Sequence, residues 1–445
     1  MTLERQSLNI LYEALEVMEK GFEGLPAHDQ DADLSGLRKA VLEAAEKMQD
    51  NSPYHHPLYA GQMLKPPHPV ARLAYMLALW INPNNHALDG GRASSAMEKE
   101  AVAGLARMFG WETHLGHLCG GGTLANMEAL WASGRLHPGK TIVASEQAHY
   151  THNRLSGVLQ LPFQPIPCDS RGRMDMDALD DVLRQGEVGT VVATMGTTGA
   201  GAVDPLPDML DLQQKYGFRL HADAAYGGYF TLAGNLGNAA RGAFDRLAEV
   251  DSIVVDPHKH GLQPYGCGCV LFKEPAVGKL YKHDSPYTYF SSTELHLGEI
   301  SLECSRAGAA AVALWATMRM FPLVPGGPFA QGLERGRRAA LNLFERIQND
   351  SRLLSAFPPE LDIVIWAPRA ESASQISRRS QEVFKAAAQQ NLHLAVASFP
   401  KSMLEPTWPI DWDQDQVSCL RSCLMKPEHL DWIDSIWQRL EGCLV

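Results

Sequence analysis

The chain has 445 residues, 45% of them apolar and 20% charged, with a formal net charge of −12. That composition assures a core of ordinary size and excludes a disordered or collagen-like chain. The acidic balance leaves no cationic surplus for nucleic acid, while leaving room for one small anion pocket.

Eight cysteines without a CxxC pair argue against a zinc ribbon or a thioredoxin-like motif, and no metal site is expected. Their sparse, irregular placement reads as a reduced, cytoplasmic protein. No apolar run is long enough to span a membrane, and the first residues lack the apolar centre of a signal peptide.

Residues 7–22 and 34–49 carry apolar side chains at helical spacing (Leu8, Leu11, Leu15, Met18; Leu37, Val41, Ala44, Met48). Two amphipathic helices are predicted, packed on the body or on a partner subunit. Residues 51–69 hold Pro and His too densely for one helix. Helices follow at 70–81 and 94–110, the second with Ser94 or Ser95 as N-cap and Glu98 completing a capping box.

From residue 115 short β-branched runs alternate with helical stretches. Strands are expected at 141–145, 190–195, 218–223, 251–256 and 268–273, with helices at 122–134, 175–184 and 205–215. The alternation predicts an α/β fold, a mostly parallel sheet with helices on both faces. Beyond Pro325-Gly326-Gly327 come a helix at 330–349, a strand at 361–366, a helix at 374–390, strands at 392–398 and 416–424, and a last helix at 428–441. That tail reads as a smaller α+β domain. The expected parts are thus an N-terminal segment (1–69), a large domain (70–325) and a small domain (326–445).

Ligands of an open parallel sheet bind outside the carboxyl ends of its strands. The residues following the predicted strands are Glu146-Gln147-Ala148-His149, Gly196-Thr197-Thr198, Asp223-Ala224-Ala225-Tyr226 and Asp256-Pro257-His258-Lys259. Four functional types at four successive ends are hard to attribute to packing alone. Gly120-Gly121-Gly122-Thr123 precedes a helix, where free N–H groups favour an anion. The turn is neither GxGxxG nor a P-loop, so a phosphate is more plausible than a dinucleotide.

Each residue has a bland reading. Asp223 suits a cap or a salt bridge, Lys259 a solvated surface position, and His149 a satisfied core. Together with the glycine turn they describe a cradle for a phosphate, a carboxylate for a cationic ring atom, an amine for an imine with a carbonyl, and an imidazole to stack on a flat ring. One cofactor has those four needs: pyridoxal 5′-phosphate. An anionic Asp keeps its pyridine nitrogen protonated, which makes the ring an electron sink.

At these residues the sequence resembles the group II pyridoxal-phosphate amino-acid decarboxylases, which include aromatic-amino-acid, tyrosine, glutamate and 2,4-diaminobutyrate decarboxylases. The matching segments are GGGTLANMEAL, ASEQAHYTHNR, VATMGTTGAGAVDPL, HADAAYGGYF, DSIVVDPHKHGLQPYGCGCVLFK and ISLECSRAGAAAVALW, in family order over about 115–315. The resemblance implies the aspartate-aminotransferase-like type I fold. It also implies a homodimer with the active site at the interface and the N-terminal segment wrapping the partner. Lys259 would form the Schiff base, Asp223 would pair with the pyridinium, Ala225 would lie against the ring and His149 would stack on its other face. Gly121, Gly122 and Thr123 would hold the phosphate, with His258 near it and Thr197 at the cofactor's edge.

The family's catalytic loop often carries a tyrosine that returns a proton to the carbanion; here Tyr287 and Tyr289 are both candidates. Arg306 is a candidate for the substrate carboxylate, weighed against a structural ion pair. In Asn82-Pro83-Asn84-Asn85-His86, Asn85 and His86 are candidates for a substrate wall supplied across the dimer, weighed against a turn with Asx capping. The implied activity is decarboxylation of an L-amino acid to its amine. Two alternatives stand beside it: another enzyme on the same fold (an aldehyde-forming relative, a lyase or an aminotransferase) and a non-catalytic paralogue acting as a scaffold. A nicotinamide enzyme lacks its fingerprint here.

Overall fold

The structure, a computed structural model, describes residues 5–26, 33–282 and 295–444. Tyr287 and Tyr289 lie outside the described residues.

Seven strands build the main sheet: β1 (Leu115–Cys119), β2 (Thr141–Ser145), β3 (Phe163–Ile166), β4 (Val188–Thr194), β5 (Arg219–Asp223), β6 (Ser252–Val255) and β7 (Gly268–Phe272). Their order is β1-β7-β6-β5-β4-β2-β3. From β6 to β3 every neighbour is parallel, while β7 runs antiparallel to β6 and β1. This is the expected α/β architecture of the type I fold. The central strands are near-continuous apolar runs because helices bury both faces: β6 and β7 are buried at every residue. Register sets Thr194 beside Asp223 and Asp223 beside Val254, so the carboxyl ends of β4, β5 and β6 form one rim.

A second, antiparallel sheet of β8 (Leu353–Ser355), β9 (Ile363–Pro368), β10 (Ala395–Pro400) and β11 (Gln416–Cys423) has the order β10-β11-β9-β8. Helices Pro328–Asn349 and His429–Glu441 share an apolar core with it, including Leu343, Trp366, Leu420 and Ile436. The Pro- and His-rich segment is stitched to this sheet. Ala60 N–H donates to His393 O (2.9 Å), and Cys423 N–H donates to Ala60 O (2.8 Å).

Helix Leu34–Met48 buries none of its side chains, and Leu37, Val41 and Met48 stand exposed. Helix Arg5–Glu19 lies against helix Pro69–Leu79 yet leaves Ile10, Tyr12 and Val17 exposed. The expected start at Ser94 is corrected. The helix runs from Leu88 to Met108 with a kink at Gly91, so Ser94 is inside it. Glu98 does not form a capping box; it reaches the Leu118 N–H at 3.0 Å. Among the described residues no helix is long and apolar enough to cross a membrane.

Candidate active site

The strand rim opens on a cavity of about 610 Å³ lined by Gly120–Thr123, His149, Thr194, Thr198, Asp223, Ala225, Tyr226, Asp256, His258, Lys259 and Tyr265. Eight of the residues expected to hold the cofactor are among them: Gly121, Gly122, Thr123, His149, Asp223, Ala225, His258 and Lys259.

The glycine turn is shaped by crowding. Gly121 has φ +147°, a conformation L side chains rarely adopt, and a Cβ there would meet His258 Cε1 at 3.1 Å. A Cβ on Gly122 would meet Asp256 Oδ2 at 2.6 Å. The turn therefore lies directly on the Asp256–His258 segment, and helix Gly122–Leu136, whose first N–H groups have no intrahelical partner, begins in the cavity lining.

Asp223 ends β5 and is buried. Its Oδ1 accepts the Ala225 N–H (3.1 Å) and its Oδ2 accepts from His152 Nε2 (2.8 Å). A carboxylate only accepts, so the His152 proton sits on Nε2. Burial by itself would raise the Asp223 pKa. The hydrogen bond and charge of His152, followed by the charge of Lys259, outweigh it and hold the carboxyl well below its ordinary value. An anion is thus fixed at the cavity floor.

Lys259 Nζ lies 3.0 Å from Asp256 Oδ2. Asp256 Oδ1 and His258 Nδ1 are buried without a hydrogen-bond partner, as is His152 Nδ1. The His258 ring lies tilted 36° on Tyr265 at 4.8 Å, and burial pushes its pKa down. His149 accepts the Thr151 N–H on Nδ1 (3.2 Å), and burial pushes its pKa down too. Its imidazole is thereby disposed to be neutral, which suits stacking.

These features fit pyridoxal phosphate: an amine, a fixed carboxylate, a flat slot beside Ala225, and a glycine turn at a helix start whose neighbours leave buried polar atoms unpaired. Among residues the sequence did not single out, His152 and Tyr265 join the site. HY-T-H places His152 one helical turn beyond His149, on the same side, which was the available signal.

Four of the expected residues do not line this cavity within one chain. Thr197 does not line the cavity; its hydroxyl accepts the Ala202 N–H (3.0 Å), and Thr194 and Thr198 occupy the rim. Arg306 does not face the cavity. Its Nη1 pairs with Glu98 Oε1 (3.0 Å) and donates to Leu118 O (2.5 Å). It therefore braces the strand leading into the glycine turn. Asn85 is fully buried and also belongs to this network, donating to Glu98 Oε2 (2.6 Å) and accepting from Ser94 Oγ (2.5 Å). His86 lies near Cys304, its Nε2 3.9 Å from Sγ, away from the cavity lining. Asn84 Oδ1 accepts the His86 and Arg306 N–H groups, both at 3.0 Å, so the Asn-rich stretch is an Asx-capped turn.

Comparison with known proteins identifies the family. Residues 126–366 match the family described as "Pyridoxal-dependent decarboxylase conserved domain". A "Probable L-tyrosine/L-aspartate decarboxylase" of Methanothermobacter thermautotrophicus is 28% identical, covering 73% of this chain and 86% of that protein. An "L-tyrosine decarboxylase" of Enterococcus faecium is 26% identical, over 75% of this chain and 72% of its own. An "L-aspartate decarboxylase" of Thermococcus kodakarensis is 30% identical over 63% and 72%. Among solved structures, mouse CSAD in apo form superposes with TM-score 0.77 at 18% identity, covering 99% of both chains. Oryza sativa TDC with PLP and tryptamine superposes with TM-score 0.80 at 17% identity, covering 99% of this chain and 96% of that one. At such identities these two likenesses speak for the fold.

Proposed function

Because the chain belongs to the pyridoxal-dependent decarboxylase family, and therefore decarboxylates an amino acid with pyridoxal phosphate, we propose that Lys259, Asp223, His149 and the Gly121–Thr123 turn carry that chemistry. The observation behind this reading is that an amine, a buried carboxylate and a glycine turn line one cavity of about 610 Å³.

When bound, the cofactor supplies an electron-poor ring that takes up the electron pair left as carbon dioxide departs. The chain does the rest. Lys259 Nζ would be the amine that holds the cofactor through its carbonyl carbon, with Asp256 Oδ2 at 3.0 Å as counter-charge when the amine is protonated. Asp223 would keep the ring nitrogen protonated, and His152 holds Asp223 in place. His149 and Ala225 would bound the ring. The N–H groups of Gly121, Gly122 and Thr123 would hold the phosphate, helped by His258. Tyr287 or Tyr289 returns a proton to the α-carbon, a task that typically contributes about 10²–10⁴-fold.

The chain acts as a homodimer. Support comes from helix Leu34–Met48, whose apolar face (Leu37, Val41, Met48) has no cover within one chain. A cytoplasmic setting accords with eight cysteines that form no disulfide. Names of relatives point to L-tyrosine and L-aspartate as first substrates.

The test is a panel of aromatic, acidic and diamino L-amino acids scored for carbon dioxide and amine. One-to-one release of both from at least one substrate, abolished in Lys259→Ala, is expected. Formation of an aldehyde or an α-keto acid instead would move the chain to another activity on the same fold.

A further inference from the structure

A second cavity, of about 430 Å³, lies behind the cofactor lysine. It shares no lining residue with the first. The partition is built from Tyr226, which lines the first cavity, and His260, which lines the second, with ring centroids 4.7 Å apart. Asp362 ties the two together, accepting the Tyr226 hydroxyl (2.6 Å) and lying 3.4 Å from His260 Nε2.

The chamber gathers polar groups from several stretches of chain. The Pro- and His-rich segment contributes Lys65, helix Pro69–Leu79 Arg72, the lysine loop His260, and the turn after β11 Lys426 and Glu428. Phe321 and prolines close the apolar sides. His260 is 1% exposed, and neither of its ring nitrogens has a hydrogen bond. Lys426 is 3% exposed, and its Nζ donates to Tyr59 O at 2.6 Å.

Two lysines and an arginine thus line a partly open space with Glu428 as the one acid among the lining residues. Burial pushes Lys426 down to about 7, with the charge of Lys65 adding to the effect, and pushes Lys65 down to about 8 despite Asp362 and Glu428. Lys65, Lys426 and Arg72 outnumber the two carboxylates near them, Glu428 in the wall and Asp362 beside His260, and His260 has no hydrogen bond on either ring nitrogen, so an anion would balance the excess charge and give the imidazole a partner. We propose that this chamber binds a small dianion, a phosphate or a dicarboxylate, on Lys65, Lys426, Arg72 and His260. An occupant there touches the residue next to Lys259 and bridges the N-terminal segment to the small domain. It is a site for an effector, separate from the cofactor's own phosphate.

The test is calorimetric titration of the cofactor-saturated holoenzyme, without amino-acid substrate, using inorganic phosphate in one arm and succinate in the other. Chloride holds ionic strength constant. Saturable binding at one site per chain is expected in at least one arm, and the arm that responds identifies the ligand class. Lys65→Met and Arg72→Met, the second at an exposed position of the lining, should each weaken binding tenfold or more, while Lys385→Met, which lines neither cavity, should not change it. No saturable heat with either anion overturns the proposal, as does unchanged affinity in both cavity variants. Since no turnover is measured, the result stands apart from the decarboxylase reading.

Discussion

Replacing His152 by leucine removes the side-chain donor to Asp223 Oδ2, leaving this buried carboxylate with the Ala225 N–H on Oδ1. A hydrogen bond to a charged group contributes about 1.5–3 kcal/mol. At about 1.36 kcal/mol per factor of ten, kcat/KM should fall roughly ten- to a hundredfold if the carboxylate grips a cationic ring atom. The pH profile should change with it. In the fold the Asp223 carboxyl lies below its ordinary value. Its contribution is therefore present above that ordinary value and lost as pH falls through the depressed one. Without His152 the loss begins at higher pH, so the acid limb of kcat/KM moves up. The assay is steady-state kinetics across pH, with cofactor affinity measured separately by fluorescence. His152→Gln, which keeps an N–H donor, should recover part of the loss. Wild-type kcat/KM and an unmoved acid limb in His152→Leu would refute the role given to this pair.

Arg306→Leu should destabilise the protein by about 3–5 kcal/mol, because Glu98 is left charged and buried. KM of the folded fraction should hardly move; a raised KM with unchanged thermal stability would restore Arg306 as a substrate-carboxylate ligand. Burial pushes Asp204 up to about 7 even though it accepts the Met174 and Thr194 N–H groups, both at 2.7 Å. A raised carboxyl pKa means the folded state keeps a proton that the unfolded chain releases, so stability should fall as pH rises from the ordinary carboxylate value toward 7. Denaturant titrations at several pH values should show that slope, and Asp204→Asn should flatten it. Deleting residues 1–50 should turn a dimer into a monomer in light scattering and remove activity; a persistent active dimer would place the interface elsewhere.

The sheet was legible because its central strands are apolar on both faces, which leaves β-branched runs such as TVVAT and SIVV in plain view. Strand β1 was not predicted, since LGHLC has no β-branched residue and carries His117. Its antiparallel partner β7 lies some 150 residues away in sequence, as the pairing of Leu115 with Phe272 shows. Strand β3 was hidden by Pro165, which the edge of a sheet tolerates. The cofactor cavity was legible for a simpler reason: its residues follow directly on strand ends. What sequence spacing cannot convey is a network closed over long separations. Arg306 and Glu98 pair across more than 200 residues and Asn85 joins them through Glu98, which makes two candidate functional groups, Arg306 and Asn85, parts of a brace within one chain. Adjacent threonines are equally hard to separate from sequence: Thr198 is in the cavity lining, while the Thr197 hydroxyl accepts the Ala202 N–H.

The most direct test is to reduce the reconstituted holoenzyme with borohydride, digest it and locate the phosphopyridoxyl mass by peptide sequencing. Three lysines compete on physical grounds, because Lys65 and Lys426 have pKa values pushed down to about 8 and about 7 and would be readily deprotonated amines. The account predicts a single modified residue, Lys259, with the near-visible absorption band absent from Lys259→Ala. Label on Lys65 or Lys426, or a band that survives in Lys259→Ala, would contradict it.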